Sequence, residues 1–364
     1  MNRATRVRRL AIAALIVVLL VMVVAILTLR PAPGRQLGTP MDIEARGDLI
    51  LATLAEGQIV RVTVSGDDAS IDTLADGLHY PRGLALTDDT VYVVELGELP
   101  CENPIPRCKG EQMGAGSVAE GELEILRASA GRVLAYPRMP DGGLGEPTTL
   151  VDGLPFVNAD HGLNDLDLGP DGMLYLSIGN LDRLAWPDVE PIPPTELPAT
   201  LGVILRIDPR SGETATYATG LRNVYGLSFD AAGALWGVDN DGPGKGGWRF
   251  EELIRLEEGL DYGFPDDGTV GPYERRTGFA TWIMPSGAGS SGLLVEGDVI
   301  FSGACGSVQR LGLTSSTGDA ALVEANHPGC VTAIERLDDG RLLLGTVFGA
   351  ASFEVVRDAD LFGR

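Results

Sequence analysis

Six times between Met41 and Thr346 the chain repeats one grammar: an alternating apolar stretch, a tight turn and a second apolar strand. The units fall at Met41–Thr53, Leu84–Val94, Leu163–Ile178, Leu227–Val238, Leu293–Phe301 and Val331–Thr346. Several share their turn chemistry, written Thr87-Asp88-Asp89, Gly169-Pro170-Asp171-Gly172, Asp230-Ala231-Ala232-Gly233 and Leu337-Asp338-Asp339-Gly340. Apolar alternation on both sides of an Asp/Gly turn is the signature of an antiparallel hairpin with one buried face. Candidate outer strands fill the intervals: Gln58–Val64, Ile71–Ala75, Arg132–Tyr136, Thr148–Val151, Val203–Ile207, Thr214–Ala218, Ser307–Leu313, Ala321–Val323 and Ser352–Val356. Intervals of about 40 to 70 residues suit four-stranded blades with insertions, because one blade cannot bury both its faces and stacking supplies the core.

The repeat predicts an all-β, six-bladed β-propeller over residues 41–364, with a pair of β-sandwiches as the alternative. No linker-like stretch divides the body, so one domain is expected. An open ring leaves sheet edges unpaired, and Met41–Ala45 is the strand expected to close it against the last blade. Glycine (49) and proline (23) make up about a fifth of the 364 residues, which suits a turn-rich β fold, and 44% hydrophobic residues can fill its core. The net charge of −23 argues against nucleic acid, whose phosphates demand a basic footprint. The only two lysines are Lys109 and Lys245.

Residues 1–9 carry Arg3, Arg6, Arg8 and Arg9, and residues 10–29 are almost wholly apolar. That is the pattern of a single-pass transmembrane anchor with its basic tail in the cytoplasm, and the run ends at Arg30-Pro31 without a small-residue cleavage site. A linker over 30–40 then leads to a body on the extracytoplasmic face of the cell membrane. Four cysteines fit an oxidising compartment. Three pairings are possible. Cys101 and Cys108 bracket a short loop that a local bridge would staple, which leaves Cys305 with Cys330; neither spacing resembles a zinc site.

The chemistry concentrates in Asn158–Asn180, where His161 leads into a predicted hairpin. In a propeller the innermost strands begin at the mouth of the central channel, so a polar residue there reaches whatever binds. A histidine near its ordinary pKa can take a proton, and the adjoining Asp160 would favour its charged form. The same histidine also fits a simple strand-capping or loop-bonding role. Arg222 fits inter-blade bridging, Asp239-Asn240-Asp241 fits Asx turns, and Gly242-Pro243 an ordinary turn. His79 and Tyr80, before Pro81, read as loop residues, and Trp186, Trp236, Trp248 and Trp282 as blade packing.

Taken together, His161–Gly179, Leu201–Pro209, Gly220–Asp230, Gly242-Pro243, Glu252–Leu256 and Asp261–Pro265 resemble the glucose/sorbosone dehydrogenase family, most closely across Arg132–Pro265. The resemblance implies a six-bladed propeller that oxidises an aldose sugar with pyrroloquinoline quinone (PQQ) and Ca2+. It implies that His161 is the general base toward the sugar C1 hydroxyl, with Asp160 as its acidic neighbour. Arg222 and Asn223 would stand beside cofactor and substrate, where a guanidinium stabilises developing negative charge. The carbonyls of Gly242 and Pro243 would ligate the calcium. The family's basic clamp for the cofactor carboxylates has no counterpart here: the corresponding stretches read Phe301–Val308 and Ala325–Val331, and they contain Cys305 and Cys330. Lys245 or His327 is left to supply positive charge.

Three expectations follow. One is a membrane-anchored sugar dehydrogenase with an undefined electron acceptor. Another is a calcium-dependent lactonase-type hydrolase drawing oxygen ligands from Asn164, Asp165, Asp239 and Asn240. The third is a binding propeller that kept the scaffold without the chemistry.

Overall fold

A computed structural model of the protein describes residues 37–97, 131–156, 161–180, 200–243, 249–264, 280–284, 291–312, 321–349 and 352–363. These residues are all-β apart from one short C-terminal helix, α1 (Asp358–Phe362). The first sheet orders β1 (Pro40–Arg46), β2 (Leu49–Leu54), β3 (Gln58–Ser65) and β4 (Asp68–Ala75) as an antiparallel meander. The second repeats this with β5 (Pro81–Leu86), β6 (Thr90–Glu95), β7 (Gly131–Pro137) and β8 (Thr148–Leu154). The third consists of β9 (Leu163–Leu168), β10 (Leu174–Ile178), β11 (Val203–Ile207) and β12 (Thr214–Ala218). The fourth consists of β13 (Val224–Phe229), β14 (Leu235–Pro243), β15 (Arg249–Leu256) and β16 (Ala280–Met284). The fifth has five strands: β17 (Gly292–Glu296), β18 (Val299–Gly312), β19 (Ala321–Arg336), β20 (Leu342–Val347) and β21 (Phe353–Val356).

The hairpins form where the turn residues dictate. Between β9 and β10, Gly172 takes a positive φ of 76° and the Asp171 carboxylate accepts the Met173 N–H at 3.0 Å. Asp230 does the same between β13 and β14, accepting from the backbones of Ala232 and Ala234 and from the Trp236 indole. Side chains that alternate to the two faces then pack sheet against sheet. Val94 and Val133 of the second sheet join Leu166, Leu176 and Val203 of the third. Tyr175 and Ile204 meet Val224 and Ile254 of the fourth. Trp236 and Leu253 meet Leu293 and Ile300 of the fifth, as expected of Trp236. Ala333 and Leu343 close against Ile43 and Val60 of the first.

Five hydrogen-bonded sheets replace the six separate blades expected among the described residues. The difference lies in β18 and β19. Val299–Gly303 pairs with β17, and the same strand continues without a turn into Cys305–Gly312, which pairs with β19. β19 likewise runs on from its pairing with β18 into Val331–Arg336, which pairs with β20. The repeats at Leu293–Phe301 and Val331–Thr346 therefore share one sheet. Six inner segments still follow each other around the axis: β1 touches β5, β5 touches β9, β9 touches β13, β13 touches β17, β17 touches β19 and β19 returns to β1.

Closure also differs from expectation. β1 hydrogen-bonds to β2 within its own sheet instead of completing the last one. The ring closes side by side: Thr332 Oγ1 donates to the Pro40 carbonyl (2.8 Å), Leu37 N–H to Ser352 Oγ (2.9 Å), and Ser352 Oγ to the Gly38 carbonyl. Similar side-chain links cross three of the other gaps and satisfy inner-strand N–H groups that no neighbouring strand can reach. Asp42 accepts from Leu84 N (2.7 Å), Asp165 from Leu227 N (2.6 Å), Asp167 from Phe229 N (3.1 Å) and Ser228 from Val295 N (3.2 Å).

The expected anchor at 10–29 and the Cys101–Cys108 bridge lie outside the described residues. Among the described residues no helix is long and apolar enough to cross a membrane.

Candidate active site

His161 stands two residues before β9 and is buried. Its Nδ1 lies 2.6 Å from the carbonyl oxygen of Asn180, just past β10. A carbonyl only accepts, so Nδ1 carries the hydrogen and, in the neutral ring, Nε2 carries the lone pair. The loop-bonding role foreseen for this histidine is the one the structure shows, and the loop carbonyl selects the tautomer with its hydrogen on Nδ1. Asn180 N–H in turn donates to the Arg222 carbonyl at 2.6 Å, tying the histidine loop to the next blade.

Arg222 and Asn223 enter β13 and are both buried. One carboxylate holds their backbone: Asp239 accepts Arg222 N–H at 3.1 Å and Asn223 N–H at 2.7 Å. Asn240 N–H donates to the Asn223 carbonyl (3.1 Å), and the Arg222 guanidinium donates to the Asn240 carbonyl. Asp239 is therefore a framework residue, which the Asx-turn reading missed. Its partners are distant in sequence, so no local motif announces it.

Asn164 continues the site toward the axis. Its Nδ2 donates to Asn223 Oδ1 (2.8 Å) and to the Val224 carbonyl (3.0 Å), while Arg82 donates to its Oδ1 (3.2 Å). A cavity of about 280 Å³ adjoins Asn164, lined by it with Arg82 and Tyr225 and by the acids Asp42, Glu44, Asp165, Asp167 and Glu335. Burial pushes the Asp165 carboxyl up to about 6. It pushes Asp167 to about 7, helped by the charge of Asp165, and Glu335 to about 8. Asp42 and Glu44 are also raised well above the carboxylate range, by burial first and then by neighbouring carboxylates. Apart from Asp165, this acidic column was not foreseen. Its signal was legible as acids at alternate positions of inner strands, Asp42 with Glu44 and Asp165 with Asp167.

The two positions assigned to calcium close β14, where Pro243 pairs with Arg249. Close by in sequence, the buried Oδ1 of Asn240 has no hydrogen-bond partner among the described residues. Neutral oxygens of this kind suit a hard cation. Among the described residues no group of three or more His, Cys, Asp or Glu side chains is placed to hold a metal. Of the four oxygen ligands expected for a hydrolase, Asn164, Asp165, Asp239 and Asn240, the two aspartates both spend their carboxylates on backbone N–H groups. Asp160 and Lys245 lie outside the described residues.

In place of a basic clamp, Cys305 and Cys330 are joined in a disulfide across β18 and β19, the pairing expected. His327 is buried beside it. Its Nδ1 accepts Gly329 N–H (3.2 Å), and its Nε2 faces Glu354 at 3.3 Å. Burial alone would lower its pKa, but the hydrogen bond and charge of Glu354 carry it upward. In its charged form the ring would donate from Nε2 to Glu354 and from Nδ1 to the Gly329 carbonyl at 3.3 Å, so any positive charge there is directed at Glu354. His79 and Tyr80 lie in the loop before β5, as expected, and Tyr80 has a left-handed φ of 53°.

Residues 134–280 match the family model described as glucose/sorbosone dehydrogenase. No curated protein is significantly similar to the chain in sequence. Among solved structures, the PQQ-bound aldose sugar dehydrogenase of Streptomyces coelicolor is similar with a TM-score of 0.61 and 20% identity, over 86% of this chain and 90% of that one. The soluble aldose sugar dehydrogenase of Escherichia coli, in its apo form, is similar with a TM-score of 0.58 and 14% identity, over 89% and 97%. A putative gluconolactonase is similar with a TM-score of 0.52 and 17% identity, over 90% and 92%. Likeness at these identities is a likeness of fold.

Proposed function

We propose, from the premise that residues 134–280 belong to the glucose/sorbosone dehydrogenase family, that the protein oxidises an aldose-type sugar at its C1 hydroxyl using PQQ and Ca2+. The observation that carries this reading is the tautomer of His161. Held through Nδ1 by the Asn180 carbonyl, the buried ring has its basic nitrogen on the other side. His161 Nε2 takes the hydroxyl proton while the C1 hydrogen leaves with its electron pair, and the sugar becomes a lactone. Bound PQQ supplies the two-electron sink for that hydride. Arg222 and Asn223 supply donors where negative charge develops on oxygen, and Asp239 fixes their backbones so that little reorganisation is needed.

Asn240 Oδ1 and the Gly242 and Pro243 carbonyls are the oxygens that would hold calcium. The residues fit the calcium and the quinone oxygens better than they fit the cofactor's carboxylates, whose basic clamp is absent from Phe301–Val308 and Ala325–Val331. That absence favours one second reading, a propeller that binds a small polar ligand without turnover. The N-terminal residues 10–29 would hold the propeller at the outer face of the membrane, within reach of a membrane electron acceptor.

The test uses the full-length protein in detergent with Ca2+, titrated with PQQ and then offered aldoses with a reducible dye. Saturable PQQ binding and dye reduction are expected. Absence of PQQ binding, or binding without reduction by any aldose, removes the dehydrogenase reading and leaves the second.

A further inference from the structure

The inner strands of the ring run side by side in one direction, and the links between them show which residues stand level with one another. Asp165 accepts from Leu227 N and Asp167 from Phe229 N, while Asp42 accepts from Leu84 N. A Cβ on Gly83 would stand 2.7 Å from the Asp165 Cα, which sets β5 level with β9. Asp42, Leu84, Asp165 and Leu227 thus share a level, and four residues before each stand Gly38, Tyr80, His161 and Asn223. The end of the ring where the chain enters is therefore the end that carries the candidate active site.

An exposed aromatic marks the same end. β20 finishes there, with Val347 paired to Cys330 immediately before the inner half of β19. Phe348 follows, 78% exposed, on a left-handed backbone with φ 60°. A non-glycine residue in that conformation costs free energy and persists only where its surroundings hold it. Its loop is pinned on both flanks: a Cβ on Gly329 would stand 2.6 Å from the Gly349 Cα, and Ser352 Oγ accepts Leu37 N–H at 2.9 Å. The strained loop presents its ring outward beside the point where residues 1–36 join the propeller.

Residues 30–36 separate the apolar run 10–29 from Leu37. Fully extended, that much chain reaches about 28 Å, so an anchored propeller keeps Leu37 close to the headgroups. Tethering supplies the effective concentration that a single aromatic side chain lacks, and phenylalanine suits the boundary between headgroups and acyl chains. Met139, exposed at 46%, lies at the opposite end of the ring, where Arg138 N–H donates to the Asp89 carbonyl in the turn between β5 and β6.

We propose that the mouth end of the ring docks on the outer surface of the bilayer that holds the anchor, with Phe348 seated at headgroup level, so that the candidate active site opens toward the lipid. Docking rests on the anchor reading of residues 10–29 and not on the chemistry assigned to the site. The net charge of −23 opposes anionic lipid, so the surface that fits is zwitterionic.

The experiment places full-length wild type, Phe348→Trp and Met139→Trp in phosphatidylcholine nanodiscs, with and without bromine on the acyl chains next to the headgroup. Emission is read as variant minus wild type, which removes the four native tryptophans. Bromine is expected to quench the tryptophan at 348 by about half, as for a ring at the headgroup boundary, and to leave that at 139 unchanged. Unquenched emission at 348, in discs that have taken up the protein, overturns the docking and leaves the anchor in place. Quenching at 139 alone reverses the orientation and overturns it as well. Full-length protein that stays outside the discs overturns the anchor reading and the docking with it. Should Phe348→Trp fail to fold, wild type in discs containing a photoactivatable phosphatidylcholine serves instead: lipid attached to the peptide holding Phe348 and not to that holding Met139 is expected, and the converse overturns the proposal.

Discussion

A Cβ built on Gly179 would stand 2.6 Å from Oδ1 of Asn223. The same added carbon would sit 2.9 Å from the His161 backbone, so the glycine is the gap into which the asparagine amide and the histidine loop both close. Gly179→Ala should therefore displace Asn223 and His161 together. A misplacement on the order of 1 Å is expected to cost about a hundredfold in kcat/KM for dye reduction. Steady-state kinetics on the folded variant check this, and wild-type rates would show that the gap is not needed.

His161→Gln separates the two roles of the histidine. Glutamine can still donate to the Asn180 carbonyl, so the loop should persist and thermal stability should change little. It has no basic nitrogen, and turnover should fall by about 10²- to 10⁴-fold. Undiminished turnover would take His161 out of the chemistry.

The Cys305–Cys330 bond closes a loop with a sequence separation of 25. Chain entropy assigns such a cross-link about 3.5 kcal/mol, a value that native-state strain or unfolded-state structure would alter. Replacing both cysteines with serine should lower the denaturation midpoint accordingly, most of all for probes in the fifth sheet. Peptide mapping without reductant should recover the two cysteines linked, and finding them as free thiols would refute the bond.

The acidic column predicts a pH dependence opposite to that of surface ion pairs. Asp165, Asp167 and Glu335 have folded-state values raised to about 6, about 7 and about 8. Below about pH 4 these groups are protonated in both states, and their contribution to stability is fully present. As pH rises through 6 to 8 the unfolded chain has already released protons that the folded chain retains, and stability is lost. Melting temperature should therefore fall between pH 5.5 and pH 8.5. Glu335→Gln, which keeps an acceptor for Arg336 N–H, should flatten that fall, and an unaltered slope would mean that Glu335 is ionised without penalty.

Much of this was written locally. The turn Gly169–Gly172, the start of β9 beside His161 and the inward Leu166, Leu176 and Ile178 follow from alternation and turn chemistry alone. The Arg222-Asn223 pair was visible because the family motif keeps the two adjacent. Asp239 and Arg82 were not, because each acts on residues far along the chain: Asp239 on backbone N–H groups sixteen and seventeen positions away, Arg82 on Asn164 and Tyr225. The merging of the last two repeats was hidden for a related reason. Strand periodicity at Ser307–Leu313 and Ala321–Val323 was legible, but nothing local says that β18 runs through Cys305 without turning.

Leu37 and Gly38 meet Ser352, and Pro40 meets Thr332, at a seam where no sheet is shared. Since each side of that seam already has its complete set of strands, the chain could be re-spliced there and opened elsewhere. A circular permutant joining residue 363 to residue 37 through a short flexible tether, and starting anew in the turn before β5, would place every sheet between the same two neighbours. Between the last two repeats no such cut is open, because β18 and β19 run from one to the other without a turn and make them a single fabric.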